Sequence, residues 1–203
     1  MKILDEKRAP NPRRVRVFLA EKAITVPYQD VDIMTGAHKS EAFGRVNPVQ
    51  RVPVLVLDDG TAICESMAIC RYFEALQPEP SLLGQTPLEI GTIEMWNRIA
   101  EINFLFPVMH YFRHTHPAMA SLEVPQVAPW AEANKPRVSD ILRTLDRRLS
   151  ETPYLAGERF SVADITALVA TDFMKPARLA VPDGVPHFAR WYADVAARPS
   201  SKA

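Results

Sequence analysis

The stretch Asn47-Pro48-Val49-Gln50-Arg51-Val52-Pro53-Val54-Leu55-Val56-Leu57-Asp58-Asp59-Gly60-Thr61-Ala62-Ile63-Cys64-Glu65-Ser66-Met67-Ala68-Ile69 decides the fold of this chain. It predicts an apolar strand after Pro53, a hairpin turn at Asp59-Gly60, a second short strand, and a helix that begins at Glu65-Ser66. Val52-Pro53 lies where a loop enters the strand, a position that tolerates Pro and where an X-Pro bond can be cis. If the bond is cis, we expect the N–H and C=O of Val52 to face outward and pair with a short extended ligand.

The helix start at Glu65-Ser66 is the second feature of this stretch that can hold a ligand. Free backbone N–H groups and a hydroxyl at a helix N-terminus bind a carboxylate, and a neighbouring acid accepts a hydrogen bond from an ammonium group. The two features together predict a site for a peptide whose α-amino-acid end docks at Ser66 and whose backbone runs along Val52.

The residues before this stretch predict a small mixed sheet covered by helices. Residues 2–4 and 27–33 are predicted strands, and short helices are predicted near residues 40–45 and over residues 65–76. Between them lies a helix in which Asn11 is the expected N-cap and Pro12 the first helical residue.

The residues after this stretch predict a second, all-helical region. Pro and Gly break the pattern over residues 78–86, which we interpret as a linker between residues 1–77 and 87–203. Capping boxes at Thr86/Glu89 and Ser161/Asp164 predict helix starts, and Pro107 is expected to kink or split the first long helix. A second long helix is predicted over residues 129–149, and the apolar helix after Ser161 is expected to be central to this region.

Composition narrows the classes of function. Lys and Arg total 24 and Asp and Glu total 24, so we expect neither nucleic acid nor an anionic membrane as a partner. The first residues lack the apolar core of a signal peptide, and no apolar run is long enough to span a bilayer, so the expectation is a soluble, cytoplasmic protein. Cys64 and Cys70 fit neither a disulfide framework nor a zinc site and are interpreted as reduced thiols, with redox sensing as the alternative.

Taken with Pro10-Asn11-Pro12-Arg13 and Phe160-Ser161-Val162-Ala163-Asp164, the stretch resembles the cytosolic glutathione transferases over nearly the whole chain. The resemblance implies a thioredoxin-like α/β domain with a mixed four-stranded sheet, followed by an all-α domain that carries the electrophile site. It also implies glutathione as co-substrate and a homodimer. Family members commonly place Tyr, Ser or Cys in the loop before the first helix, but residues 5–14 contain none of them, which is similar to the theta-like or atypical bacterial and fungal members.

Glutathione chemistry requires a thiolate, which a hydrogen-bond donor, a helix N-terminus or a nearby cation favours. Asn11, the first N–H groups after Pro12, and Arg13 with Arg14 are the candidates near the thiol. The resemblance also implies His114, acting on the thiol directly or through water. The alternatives are that Asn11 only caps its helix and that His114 only interacts with the dipole of a helix end.

The resemblance assigns the remaining site residues. His38, Lys39 and Arg51, with Gln50 as a polar contact, are expected to bind the glycine carboxylate, while Val52, Pro53, Glu65 and Ser66 bind the rest of the tripeptide. Met67 stands where some members carry Arg, which removes one expected polar contact. The expected electrophile site is lined by Phe104, Met109, Tyr111 and Phe112, all of which have a purely structural alternative as core residues.

Three functions follow from these residues. The first is a detoxification enzyme that activates glutathione for attack on a small apolar electrophile. The second is a glutathione-dependent disulfide or peroxide reductase, because a loop without a protein thiol suits two glutathione molecules that react with each other. The third is a non-catalytic binding protein with the same fold.

Overall fold

A computed structural model describes all 203 residues, which divide into two compact units. The first unit contains residues 1–81 together with Lys202 and Ala203, and the second contains Leu82–Ser201. The division lies inside the segment 78–86, where Pro and Gly interrupt the helical pattern. No helix is both long and apolar enough to cross a membrane.

The first unit alternates strands and helices before it ends with a hairpin and a helix. Its elements are β1 (Lys2–Asp5), α1 (Pro10–Glu21), β2 (Tyr28–Asp30), a 3-10 turn (Ala37–Lys39), α2 (Glu41–Val46), β3 (Val54–Val56), β4 (Ala62–Cys64) and α3 (Ser66–Leu76). The strand order is β2-β1-β3-β4, in which β1 pairs parallel with β2 and all other pairs are antiparallel. This mixed four-stranded sheet is the one that the sequence predicts.

Strand alternation divides the sheet residues of the first unit between two faces. Ile3 and Leu55 are paired and almost fully buried, and both α1 and α3 are rich in buried apolar residues and pack together. The neighbouring pair Leu4 and Val54 points to the opposite face, where it forms a smaller core with Val31. The α2 helix contributes Phe43 to this smaller core.

The second unit is entirely helical. Its helices are α4 (Pro87–Ala100), α5 (Phe106–Thr115), α6 (Ala128–Leu149), α7 (Val162–Met174) and α8 (Pro186–Ala196), and a π-helical turn (Glu101–Leu105) joins α4 to α5. The two units together confirm the predicted fold class of an α/β sheet domain followed by an all-α domain.

The α7 helix lies at the centre of the second unit, as its apolar sequence predicts. It contacts α4, α5 and α8, and every residue from Val162 to Thr171 is buried. Both predicted capping boxes are confirmed, at Thr86/Glu89 for α4 and at Ser161/Asp164 for α7. A buried hydrogen bond of 2.6 Å from Thr166 Oγ1 to Asn97 Oδ1 ties α7 to α4.

Two helix boundaries differ from the sequence prediction. Helix α1 begins at Pro10 with Ala9 as its N-cap, so Asn11 is the second helical residue and not the cap. Both prolines suit a first turn, and the chain uses the earlier one. The predicted break near Pro107 is a π-helical turn that ends just before Phe106. Pro136 lies inside α6 without ending it, on an exposed part of the helix.

Candidate active site

The segment that enters β3 presents an unused backbone edge. The Val52-Pro53 peptide bond is cis, and Val52 makes no backbone hydrogen bond. Asn47, which is 2% exposed, supports this segment because its Nδ2 donates to the Arg51 carbonyl at 2.7 Å. Its Oδ1 accepts from the Val49 N–H at 3.0 Å. Asn47 is a supporting residue that sequence reasoning missed, although its place at the end of α2 and before Pro48 marks it as a turn residue.

The start of α3 combines backbone strain with a buried hydroxyl. Glu65 has φ +71°, a conformation that is costly for a residue other than glycine and is found most often at functional sites. Its side chain is exposed, whereas Ser66 is buried as the first residue of the helix. Ser66 therefore brings its hydroxyl and the free N–H groups of the first turn to one place.

A buried arginine fixes the Ser66 hydroxyl. Arg14 Nη1 donates to Ser66 Oγ at 3.0 Å, and the Arg14 side chain is 0% exposed. Ser66 Oγ accepts this bond, which leaves its own O–H free to donate to a ligand. The sequence assigned Arg14 to the thiol as a nearby cation, but its contact with Ser66 assigns it to the opposite end of the predicted ligand.

Asn11 is the one residue of the first turn of α1 that keeps unused donors. Pro10 and Pro12 have no N–H, and the Arg13 N–H already donates to the Ala9 carbonyl at 3.3 Å. The Asn11 N–H and side-chain amide make no hydrogen bond within the chain, and its Oδ1 is buried. The expected free N–H groups after Pro12 are therefore absent, and the helix offers the backbone and side chain of Asn11 in their place.

The strand and loop before α1 are held by two ion pairs. Arg16 Nη1 lies 2.7 Å from Asp5 Oδ1, and burial nevertheless raises the pKa of Asp5. Arg8 Nε donates to Glu6 Oε1 at 2.9 Å, and this hydrogen bond lowers the pKa of the Glu6 carboxyl. Because Asp5 and Glu6 are both buried, the chain that leads to Asn11 is fixed on both sides of the turn.

The 3-10 turn and the loop before Pro53 meet at the other side of the predicted tripeptide site. Gln50 Nε2 donates to the Lys39 carbonyl at 3.3 Å, and Gln50 itself has φ +55°. Lys39 and Arg51 are exposed cations, whereas His38 is 4% exposed. Gln50 thus joins two of the predicted carboxylate-binding segments, and the exposed Lys39 and Arg51 are better placed to meet an anion than the buried His38.

In the second unit, His114 makes one hydrogen bond through its ring, and its other ring nitrogen lies near a carboxylate. Its Nδ1 accepts from the Val127 N–H at 3.1 Å, and its Nε2 lies 3.8 Å from Glu123 Oε1. The side chain is 11% exposed. In the neutral ring, the proton is assigned to Nε2, because Nδ1 acts as an acceptor. The nearby His116 uses its Nδ1 to accept from the Ala118 N–H and stacks on Phe112.

His110 is a further titratable residue of α5 that the sequence reasoning did not select. It lies one turn before His114, with its ring centroid 5.8 Å from that of Trp130 and 6.3 Å from that of Phe106. Burial lowers the pKa of His110, which favours the neutral ring near pH 7. Its spacing of four residues from His114, which puts both on one helix face, is the sequence signal that could have identified it.

The predicted electrophile residues fall into two groups. Phe104 is 0% exposed and packs edge-to-face on Phe188, so it belongs to the helical core. Met109, Tyr111 and Phe112 are half-buried on α5 and keep part of their surface open to a ligand. Phe112 also contacts the ring of Phe173 at 5.0 Å, which orients it.

Comparison with known proteins matches both units. The family model described as the glutathione S-transferase N-terminal domain matches residues 9–76, and the model of the C-terminal domain matches residues 99–199. Glutathione S-transferase 2 of Saccharomyces cerevisiae is 39% identical over 205 residues, which cover 100% of this chain and 88% of that protein. Glutathione S-transferase F9 of Arabidopsis thaliana is 29% identical, covering 95% of this chain and 90% of that protein.

Solved structures show the same similarity. A glutathione S-transferase domain-containing protein of Marinobacter aquaeolei VT8 superimposes with a TM-score of 0.96 at 41% identity, covering 99% of this chain and 100% of that one. Gtt2 of Saccharomyces cerevisiae superimposes with a TM-score of 0.95 at 39% identity, covering 100% of this chain and 99% of that one.

Proposed function

This chain belongs to the glutathione S-transferase family and is a glutathione transferase, and we propose that Asn11 activates the thiol of its co-substrate glutathione. The similarity to named transferases over the whole chain favours this activity over the reductase and the non-catalytic alternatives.

We propose that the tripeptide binds across the first unit in one direction. The γ-glutamyl carboxylate accepts from Ser66 and the first N–H groups of α3, while Glu65 accepts from the ammonium group. The cysteinyl part pairs with the N–H and C=O of Val52, beside Pro53. The unbonded backbone of Val52 and the support of Ser66 by Arg14 favour this orientation.

The glycine carboxylate lies at the other end of the tripeptide in this proposal. Lys39 and Arg51 supply the positive charge, Gln50 is a polar contact, and His38 supports the turn from its buried position. Exposed cations contribute modestly to binding, so this end of the site sets affinity less strongly than Ser66 does.

The observation that carries the catalytic proposal is the unused polar surface of Asn11. A thiolate needs donors, and Asn11 offers an N–H and an amide with no partner in the chain at the positive end of α1. His114 is the second candidate, but its Nδ1 must release the Val127 N–H before it can accept a proton. The chain therefore stabilises the thiolate by hydrogen bonding. The bound thiol loses its proton to solvent, and the resulting thiolate forms a C–S bond to the electrophile; in a substitution, the leaving group departs as an anion with the electrons of the bond that breaks.

Steady-state kinetics with glutathione and chlorodinitrobenzene test this proposal. Asn11→Ala is expected to lower kcat about tenfold or more while the KM for glutathione changes little, because the lost hydrogen bond acts on the thiolate and not on the tripeptide ends. Asn103→Ala, at an exposed asparagine of the second unit, is the matched control and should retain the wild-type kcat. Equal rates for wild type and Asn11→Ala would contradict the assignment.

We further propose that the enzyme is a cytoplasmic homodimer that detoxifies small apolar electrophiles, with Met109, Tyr111 and Phe112 in contact with the electrophile. Leu88, Met95 and Ile102 recur every seven residues and are at least 45% exposed, an apolar row that suits contact with a second copy. Sedimentation equilibrium should give twice the 22.8 kDa chain mass for wild type and a shift toward monomer for Met95→Glu. A monomeric wild type at micromolar concentration would refute the dimer.

A further inference from the structure

An open cavity of about 380 Å³ lies at the surface of the first unit, on the sheet face that α2 covers. Its volume is near the lower end of the range of small-molecule sites in proteins. The lining comes from β1, β2, β3, the 3-10 turn and α2, and it includes none of the residues proposed to bind glutathione. The cavity is therefore a separate feature of this unit.

The floor of the cavity is apolar. Leu4, Val31 and Phe43 are buried there, and Val46 and Val56 are half-buried. An apolar molecule that covers these side chains removes their remaining surface from water, which favours binding. The floor alone does not choose among apolar ligands.

The charge at the rim of the cavity favours an anionic ligand. Lys2 pairs with Val56 across the sheet, so its side chain projects on the cavity face of the sheet. The ammonium group of Lys2 makes no ion pair or hydrogen bond. Gln29 pairs with Leu4 and projects on the same face, with its amide also unused. Asp30 is the one acidic residue of the lining, but it pairs with Asp5 and so projects on the opposite face. The cavity thus combines an apolar floor with one uncompensated cation.

The remaining rim groups do not compete for a ligand. The Ser40 hydroxyl donates to the Ala37 carbonyl at 3.0 Å and accepts from the Phe43 N–H at 3.2 Å, as the N-cap of α2. An anionic ligand therefore meets Lys2 and the Gln29 amide as its available donors. A carboxylate matches this pair, because one of its oxygens faces the ammonium group and the other accepts from the amide.

We propose that this cavity is a binding site for a small amphipathic monocarboxylate, with its hydrocarbon body over Val46 and Val56 and its carboxylate at Lys2 and Gln29. The site is independent of the glutathione chemistry and requires no covalent step.

Methyl NMR of the full chain during titration with decanoate tests the proposal. Saturable shifts are expected at the methyl groups of Leu4, Val46 and Val56, with none at Val138 in the core of the second unit. Lys2→Met should weaken decanoate binding about two- to fivefold, the effect of an exposed ion pair. The same substitution should leave the binding of decanol unchanged, because decanol has the same hydrocarbon chain but no charge.

Two further variants complete the test. Ala42→Phe adds a ring to an exposed position of the cavity lining and is expected to abolish decanoate binding without disturbing the core. Lys135→Met, at an exposed lysine of α6, is the matched charge control and should bind as wild type does. Shifts confined to the second unit, or decanoate affinity that is unchanged in either Ala42→Phe or Lys2→Met, would overturn the proposal. Glutathione is absent from every sample, so the result is independent of the proposed catalytic role of Asn11.

Discussion

Replacement of Asp164 by alanine is expected to be among the most destabilising changes in the second unit. The Asp164 carboxylate accepts from the Leu155 N–H at 3.0 Å and the Trp191 Nε1–H at 2.8 Å through one oxygen. Through the other it accepts from the N–H of Ser161 at 3.0 Å and its hydroxyl at 3.1 Å. Burial raises the pKa of Asp164, and these four donors oppose that effect.

The magnitude follows from the donors that the substitution leaves behind. The Ser161 hydroxyl can rotate to another partner, but the three N–H groups stay in place, and a buried donor without an acceptor costs about 1–3 kcal/mol. Asp164→Ala should therefore lower the free energy of unfolding by at least about 3 kcal/mol, a large part of the ~5–15 kcal/mol typical of a folded protein. Asp164→Asn keeps one acceptor oxygen and should lose about half as much.

Urea unfolding followed by circular dichroism measures both variants against a matched control. Glu89 occupies the same capping-box position in α4 but is only partly buried, so Glu89→Ala should cost clearly less than Asp164→Ala. The expected order of destabilisation is Asp164→Ala, then Asp164→Asn, then Glu89→Ala. An Asp164→Ala variant that loses no more stability than Glu89→Ala would refute the reasoning from buried donors.

Two other substitutions test the support of the candidate active site. Ser66→Ala and Arg14→Met should each weaken glutathione binding about fivefold in calorimetry, because an oriented hydroxyl contributes about 1 kcal/mol, and the double variant should lose no more than either one. Additive losses would contradict the role of Arg14 in orienting Ser66. Glu6→Gln should flatten the acid side of the stability profile. The hydrogen bond from Arg8 lowers the pKa of Glu6 below the ordinary value of a glutamate, so the contribution of this carboxylate to stability is complete above that ordinary value and is lost as the pH falls through the lowered pKa. Thermal unfolding between about pH 3 and pH 6 checks this, and wild type and variant with parallel profiles would exclude it.

Local signals in the sequence predicted the fold well. The capping boxes identify the starts of α4 and α7 because their partners lie three residues apart. The Asp59-Gly60 turn between two short apolar runs identifies the β3–β4 hairpin, because the turn and both strands are close together in the sequence.

The start of α1 was harder to predict, because Pro10 and Pro12 are equivalent by local rules. Only the packed chain shows that Ala9 is the N-cap and that Asn11 lies within the first turn. That difference matters for the proposed function. The side-chain oxygen of a capping Asn accepts a hydrogen bond from the helix backbone, whereas the side-chain oxygen of Asn11 accepts none.

Contacts between residues that are distant in the sequence could not be predicted from it. Arg14 and Ser66 are 52 positions apart, and His114 and Val127 are 13 apart, so no periodicity links either pair. The sequence could name each of these residues as charged or polar, but the choice of partner depends on how the helices pack. This is why the glutathione-binding residues, which the family resemblance implies, were easier to propose than the roles of Arg14 and His114.

The pKa of the glutathione thiol in its complex with the enzyme tests the central claim most directly. Ultraviolet absorbance of the thiolate reports it for wild type, Asn11→Ala and His114→Ala. We expect a wild-type value below the ordinary thiol pKa of about 8.5, an increase of about 1–2 pH units in Asn11→Ala, and no change in His114→Ala. A thiol pKa that stays at the wild-type value in Asn11→Ala and rises in His114→Ala would contradict the account.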